Sequence, residues 1–297
     1  MKYALIEAER GSLPVQRACH VLHVSVSGYY AWQQRRQRAK TKDRDEHLVA
    51  HIRAVFADSR GTYGSPRVTA ALRKQGMVCN RKRVARLMRQ HGLVAKHRRQ
   101  RRVRTTDSRH AFPIAPNRLQ REFSAERPNE KWVADFTYID TAEGWLYLAL
   151  VLDIFSRKIV GWAMDEHMGS DLVERALRMA FAQRQPAKGE LLHHSDRGSQ
   201  YASFSYQRLL ASQDVIVSMS GTGDPYDNAL MESCIGTLKT ECADYRFPSR
   251  QVARVELFAY LVGWYNRLRL HSALGYLSPD QFEQHYFQDK FLFHSAG

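Results

Sequence analysis

Long apolar runs are missing from this 297-residue chain. No stretch of about 18 apolar residues occurs, which leaves no candidate for a helical membrane span. The first residues, MKYALIEAERGSLP, place acids early and hold no apolar core, so a secretory leader is not expected and the cytoplasm is. Cysteine is scarce as well. Cys19, Cys79, Cys234 and Cys242 form no C-x-x-C pair, and four in so long a chain make no disulfide framework. His20 and His23 have ligand-like spacing, but no cysteine pair accompanies them at zinc-finger distance, so structural zinc is not expected. Acid is scarce only at the front. Residues 1–104 hold 25 Lys and Arg against 6 Asp and Glu, leaving 20 against 24 in the remainder of a chain of net charge +15. Such segregation points to a polyanion-binding front and a near-neutral working domain behind it.

What is present at the front reads as helix. Residues 1–42 form an N-terminal helical region with helix-turn-helix character. SLPVQRACHVLHVS puts Val15, Ala18, Cys19 and Leu22 on one face, and the turn HVSVS leads into GYYAWQQRRQR. Tyr29, Tyr30 and Trp32 suit the core of so small a unit better than base stacking. Residues 43–104 read as a second helix-turn-helix unit with a basic extension. DRDEHLVAHIRAVFAD is a helix and RGTYGS a tight turn. Ser65 and Pro66 open the next helix, PRVTAALRKQG. Asn80 caps RKRVARLMRQHG, with Val84, Leu87, Met88 and His91 inward. Arg81, Lys82, Arg83 and Arg86 lie near the N-terminal turn that such motifs place in a major groove. KHRRQRRVR, with Arg98, Arg99, Arg101 and Arg102, is too dense in like charge to fold alone and suits sequence-blind phosphate contacts. Residues 105–128 continue as a linker.

From residue 129 to 285 the pattern changes to alternating strands and helices, with a tail at 286–297. KWVADFTYI is a strand, and WLYLALVLDIFSRKIVGWAMD a hairpin turning near FSRK. A helix SDLVERALRMAFAQR, a strand GELLHHSD, a helix FSYQRLLASQD and a strand VIVSMSG follow. DNALMESCIGTLKTEC and RVELFAYLVGWYNRLR are further helices. The order predicts an α/β fold: a ribonuclease H-like mixed five-stranded sheet with flanking helices, preceded by small all-α helix-turn-helix units.

Three carboxylates stand out in this half. Asp135 sits mid-strand, where Asp is a poor strand former. Asp196 follows a strand and precedes the Gly198 turn. Glu232 lies near the start of a helix, whose dipole favours its ionised form. Three converging carboxylates repel one another unless hard cations intervene, and Mg²⁺ prefers oxygen ligands, typically taking few carboxylates together with water and phosphate oxygens. Two such ions about 3.5–4 Å apart clamp the attacking and leaving oxygens of an in-line phosphoryl displacement. Lys239, seven residues after Glu232, falls about 20° off its helical face, which suits either a phosphate of a DNA substrate beside the metals or an ordinary surface lysine. Asp153, Asp224 and Asp227 are competing acids whose contexts suggest hairpin closure or helix capping.

WVADFTY, HSDRGSQY, DNALMES-x5-LKTE and YNRLRLHSALGYLSP together resemble the retroviral-integrase-like transposases of bacterial insertion sequences, above all the second-reading-frame protein (OrfB) of the IS-three family. The resemblance spans nearly the whole chain. It implies that Asp135, Asp196 and Glu232 are the D, D and E of a D,D(35)E triad, and that Lys239 is the basic residue following it. It implies Mg²⁺, two ions with Mn²⁺ as a substitute, and cleavage and strand transfer of DNA 3′ ends by copy-out, paste-in transposition. The DNA partners would be the element's terminal inverted repeats and the target, met by a homo-oligomer on DNA in the bacterial nucleoid. An upstream-frame helix-turn-helix protein (OrfA), as partner or frameshift fusion, is a further implied partner. A ribonuclease H-like nuclease without strand transfer and a catalytically inactive DNA-binding regulator are the alternatives. Tyr265, Asn266, Arg267, Arg269 and His271 remain open between DNA contact and helix packing.

Overall fold

Three helices make the first cluster of the chain: α1 (Lys2–Ala8), α2 (Val15–Val21) and α3 (Val26–Asp58). The computed structural model describes residues 1–96, 110–221 and 225–294, with the backbone alone described at 38–42, 225 and 291–294. It divides into two units, Met1–Val94 and Ala95–Gly297. In the first, Ile6, Ala18, Cys19 and Tyr29 are buried together, with Tyr3, Val15, Leu22 and Trp32 packed on them. Tyr29 is therefore core, whereas Tyr30 is exposed. The Ser25 side chain accepts from the Gly28 amide and caps α3. The expected division at 42–43 is not a break in secondary structure: α3 runs through it for 33 residues. The span from Trp32 to His47 contains neither Gly nor Pro and is rich in Gln, Arg and Lys, so nothing in it stops a helix.

α4 (Ser65–Lys74) and α5 (Arg81–Gln90) pack against the far end of α3. Leu48, Ile52, Val55, Val68, Leu72, Val84, Leu87 and Met88 are all buried there. Gly64, not Ser65, is the N-cap of α4, and Pro66 occupies its first turn. The Asn80 side chain accepts from the Lys82 amide as expected. His91 is exposed rather than inward; its Nδ1 lies 3.3 Å from an Arg53 nitrogen.

The second unit holds β1 (Lys131–Thr141), β2 (Gly144–Asp153), β3 (Ile159–Asp165), α6 (Ser170–Arg184), β4 (Leu192–Ser195), α7 (Ser199–Ala202), α8 (Phe204–Ala211), β5 (Ile216–Met219), α9 (Ala229–Glu241), α10 (Arg250–Phe258) and α11 (Pro279–His294). The strands form one mixed sheet in the order β3-β2-β1-β4-β5. β1, β2 and β3 are antiparallel, and β4 and β5 run parallel to β1. This is the predicted mixed five-stranded sheet. Each strand sends alternate residues to opposite faces. Val133, Ile139, Leu148, Leu150 and Leu152 face Met231 and Leu238 of α9 and Leu257 of α10. Trp132, Ala134, Phe136 and Val151 face Leu172, Ala176 and Leu177 of α6. A Cβ on Gly161 would run into the Ala176 carbonyl oxygen and lie 2.8 Å from the Ala180 Cβ, so this glycine lets α6 lie directly on β3.

Asp153 closes the β2–β3 hairpin. Its carboxylate is fully buried and accepts from the Phe155, Ser156 and Asn129 amides and the Trp132 indole. The helix expected through RVELFAYLVGWYNRLR ends at Phe258, and a π-helical turn covers Ala259–Tyr265. Bonding from i to i+5 brings Tyr260 and Tyr265 onto one buried face, with ring centroids 6.1 Å apart. The terminal motif is mostly packing. Arg269, 5% exposed, grips the buried Glu241, which also accepts from Tyr260 and Trp264. Asn266 extends the edge of β3 with two bonds to the Ile159 backbone, at 3.0 and 2.9 Å. Tyr265 and His271 are buried against each other, and Arg267 is exposed. α11 passes through 285–286, where a tail was expected to begin. Among the described residues no helix is long and apolar enough to cross a membrane.

Candidate active site

Two neighbouring parallel strands fix the first two acids. The β1–β4 ladder pairs Val133 with His194. Asp135 and Asp196 each lie two residues beyond that pair, so Asp135, in the interior of β1, and Asp196, just past the end of β4, stand level on adjacent strands. Asp135 is half-buried and its Oδ1 accepts from the Phe136 amide at 2.8 Å. Asp196, also half-buried, turns onto the Gly198 amide at 2.9 Å, which holds the loop leaving β4.

The third acid arrives by a helix. Glu232 is exposed, in the first turn of α9. Asn228, the residue before α9, donates from Nδ2 to the Ala134 carbonyl at 3.2 Å. That bond sets the start of the helix on the strand residue next to Asp135. At the other end of α9, Lys239 places its ammonium 4.1 Å from the centre of the Tyr138 ring.

The electrostatics join these groups. Burial pushes the Asp135 carboxyl well above its ordinary value, Asp196 pushes it further, and Glu232 adds to the rise; the Phe136 amide and Lys239 oppose it. Oxygen donors dominate the site. Asn228 is buried and its Oδ1 has no protein partner, and the Tyr201 hydroxyl, raised by burial first and then by Asp135, Tyr206 and Asp196, has none either. Among the described residues no three His, Cys, Asp or Glu side chains stand close enough to enclose one ion. Mg²⁺ does not require that: it takes one or two carboxylates, with water and phosphate oxygens completing its octahedron. A carboxyl raised by burial and then by neighbouring carboxylates, with a hard-oxygen surround, fits such a cation.

The two histidines before Asp196 do not join the donor set. Burial lowers His193 to about 3 and His194 to about 4, so both are neutral at pH 7. His193 bonds the Tyr206 hydroxyl, and His194 lies between the Ser218 and Ser220 hydroxyls.

The other expected residues fall elsewhere. Arg81 and Lys82 are exposed at the start of α5. Arg83 and Arg86 are held by Asp45 of α3, at 2.7 and 2.8 Å. Arg98, Arg99, Arg101 and Arg102 lie outside the described residues, as does Asp224. Asp227 does not act as a simple cap. It accepts from the Gly221 amide at 2.7 Å, Asn117 at 2.9 Å and Arg121 at 2.9 Å. Burial raises its carboxyl, but the Gly221 amide and the Arg121 guanidinium outweigh that and hold it below its ordinary value. Asn117, Arg121 and Tyr201 carried no local signal in the sequence, since their partners lie far along the chain.

Residues 125–225 match the integrase core domain family, residues 213–279 a second integrase core domain family, and residues 42–101 the HTH-like domain family. Transposase InsF for insertion sequence IS3A of Escherichia coli (strain K12) is 42% identical over 286 residues, covering 95% of this chain and 98% of that protein. The insertion element IS600 uncharacterized 31 kDa protein of Shigella sonnei is 43% identical over 271 residues, covering 91% and 98%. A chain of the simian T-cell lymphotropic virus intasome, solved with PP2A regulatory subunit B56 gamma, is 19% identical with a TM-score of 0.46, covering 72% of this chain and 69% of that one. With relatives this similar over nearly their full length, and with integrase core matches across the sheet and the helices behind it, the chain belongs to the IS3-family insertion-sequence transposases, DNA-binding DDE polynucleotidyl transferases that use divalent metal.

Proposed function

We propose that Asp135, Asp196 and Glu232 are the catalytic, metal-binding carboxylates of this transposase, and that it cleaves element 3′ ends and transfers them to target DNA. The observation that carries the reading is geometric: Asp135 and Asp196 stand two residues beyond the paired Val133 and His194 of β1 and β4, and Asn228 ties the root of the helix bearing Glu232 to Ala134, with the Asp135 carboxyl raised by burial and then by Asp196 and Glu232. Such a site gains most from a dication. Two Mg²⁺ ions, with Mn²⁺ as substitute, would supply activation of the attacking oxygen and stabilisation of the leaving 3′-oxygen. Asp135 offers oxygens from the interior of β1 and Asp196 from just past the end of β4. Glu232 completes the set from α9, and Lys239 stands on the same helix to meet a DNA phosphate.

The domain roles follow the charge. Residues 1–42 and 43–104 would bind the terminal inverted repeats, with Arg81 and Lys82 on phosphates or base edges and Arg98, Arg99, Arg101 and Arg102 gripping the backbone from the linker. Arg83 and Arg86 would serve DNA only at the expense of their pairing with Asp45. The linker 105–128 then leads to the core at 129–285 and the tail at 286–297. Two ends must meet before one can attack the other, so a homo-oligomer on DNA is the working form, with an upstream-frame partner (OrfA), separate or fused, and residence on the nucleoid.

The test is circle formation from a marked element in cells, with the upstream frame supplied. Asp135→Asn, Asp196→Asn and Glu232→Gln should each abolish circles while leaving the protein folded and bound to element ends. Near-normal circle yield from any one of them removes that residue from the site.

A further inference from the structure

The segment following the basic linker does more than connect. Residues 110–121 touch the loop that carries the second acid and the turn that precedes the helix of the third. His110 Nε2 lies 2.8 Å from the carbonyl oxygen of Arg197, the residue after Asp196. The Arg118 and Leu119 amides donate to the Ser218 hydroxyl on β5, at 2.9 and 3.1 Å, and the same hydroxyl bonds the His194 ring on β4. Asn117 and Arg121 then hold the Asp227 carboxylate.

Asp227 is 5% exposed and stands five residues before Glu232. The root of α9 is thereby fixed from two sides: Asn228 ties it to β1 beside Asp135, and Asp227 ties it to the 110–121 segment. Glu232 itself is exposed, so these anchors, together with the packing of Met231 and Leu238 on the sheet, decide where it stands rather than contacts of its own side chain.

We propose that residues 110–121 form a strap that sets Glu232 against Asp135 and Asp196, with Asn117, Arg121 and Asp227 as positioning residues for cation binding. The inference rests on the reading of Glu232 as a metal-binding carboxylate. Groups that orient a metal ligand from behind typically change affinity by about 10–100-fold when removed. Arg121 is half exposed, so its removal perturbs the anchor without opening the core.

The test is Mn²⁺ binding by the full chain, read from the electron paramagnetic resonance of free Mn²⁺, with strand transfer assayed across Mn²⁺ concentrations. Asn117→Ala and Arg121→Ala should weaken Mn²⁺ binding about tenfold, with strand transfer recovering at high Mn²⁺. Arg121→Lys should retain most of the affinity. Duplex DNA affinity should be unchanged in all three. Wild-type Mn²⁺ affinity in both alanine variants overturns the strap, as does a loss confined to DNA affinity, which would make Arg121 a DNA contact. Glu232→Gln separates the two readings. If it loses Mn²⁺ affinity while the alanine variants keep theirs, the strap alone fails. If it binds Mn²⁺ as wild type does, or if wild type binds none, the triad assignment fails and takes the strap with it.

Discussion

Arg269→Met decides whether the terminal motif YNRLRLHS serves DNA or the core. The Arg269 guanidinium meets Glu241 with Nε at 2.9 and 3.0 Å and Nη2 at 2.9 Å, both side chains nearly without solvent. Burial pulls the Arg269 pKa down, yet Glu241 more than restores it, leaving the group above its ordinary value. Methionine keeps much of the volume and removes the charge, so Glu241 is left with the Tyr260 hydroxyl at 2.9 Å and the Trp264 indole at 3.3 Å. Breaking a buried pair from one side costs about 3–5 kcal/mol. For a unit of this size each kcal/mol lowers Tm by about 2–4 °C, so the expected fall is about 10 °C. Adding Glu241→Gln should recover part of it, because no buried charge is then left alone. Differential scanning calorimetry measures the melting, and fluorescence anisotropy on element-end duplexes measures DNA affinity well below it. A variant that melts within about 2 °C of wild type while losing DNA affinity would refute the packing account.

Gly161→Ala should destabilise the core by about 1–3 kcal/mol, since its Cβ has only the Ala176 carbonyl and Ala180 to move into; chemical denaturation measures it, and a neutral result would mean that α6 does not lie on β3 as described. Asp45 is held below its ordinary value by its bond to Arg86, with Arg83 adding to the effect against burial. A depressed carboxyl contributes stability above its unfolded pKa and loses it as pH falls through the folded one. Asp45→Asn should therefore flatten the acid-side loss of stability of residues 1–94, by under about 1 kcal/mol because Arg86 is half exposed; an unchanged acid limb in titration-monitored melting would rule the pairing out. Arg81→Ala and Lys82→Ala should each lower the slope of log K against log salt by about 1 if they meet phosphates, as binding isotherms across salt concentrations will show.

The sheet was legible because its strands alternate or run apolar, and the helices after residue 170 because their apolar positions recur at three and four residues. Asp135, Asp196 and Glu232 were legible from their settings: a strand interior, a strand end and a helix start. What stayed hidden depends on distance or on continuity. Asp227 looks like a cap from its neighbours, and only the fold brings Asn117 and Arg121 to it. The basic residues of α5 look equivalent in sequence, yet Asp45 claims two of them from 38 and 41 residues away. The sequence reads as two helices where α3 is one, because the middle of α3 is polar and has no apolar stripe to follow, although its residues favour helix. The π turn follows from which aromatic residues must share one pocket, and that is a property of the packed state.

α3 also acts as a torsion shaft. At about 1.5 Å per residue its 33 residues span about 50 Å. Tyr29 and Trp32 engage α1 and α2 near one end, and Leu48, Ile52 and Val55 engage the bundle of α4 and α5 at the other. Both separation and rotational phase between these clusters are then quantised by the helix. One added residue turns one cluster by about 100° relative to the other, whereas seven added residues restore the phase to within about 20° and lengthen the shaft by about 10 Å. Length changes in the polar middle of α3 are thus confined to near-whole turns if both clusters are to address the same side of a duplex.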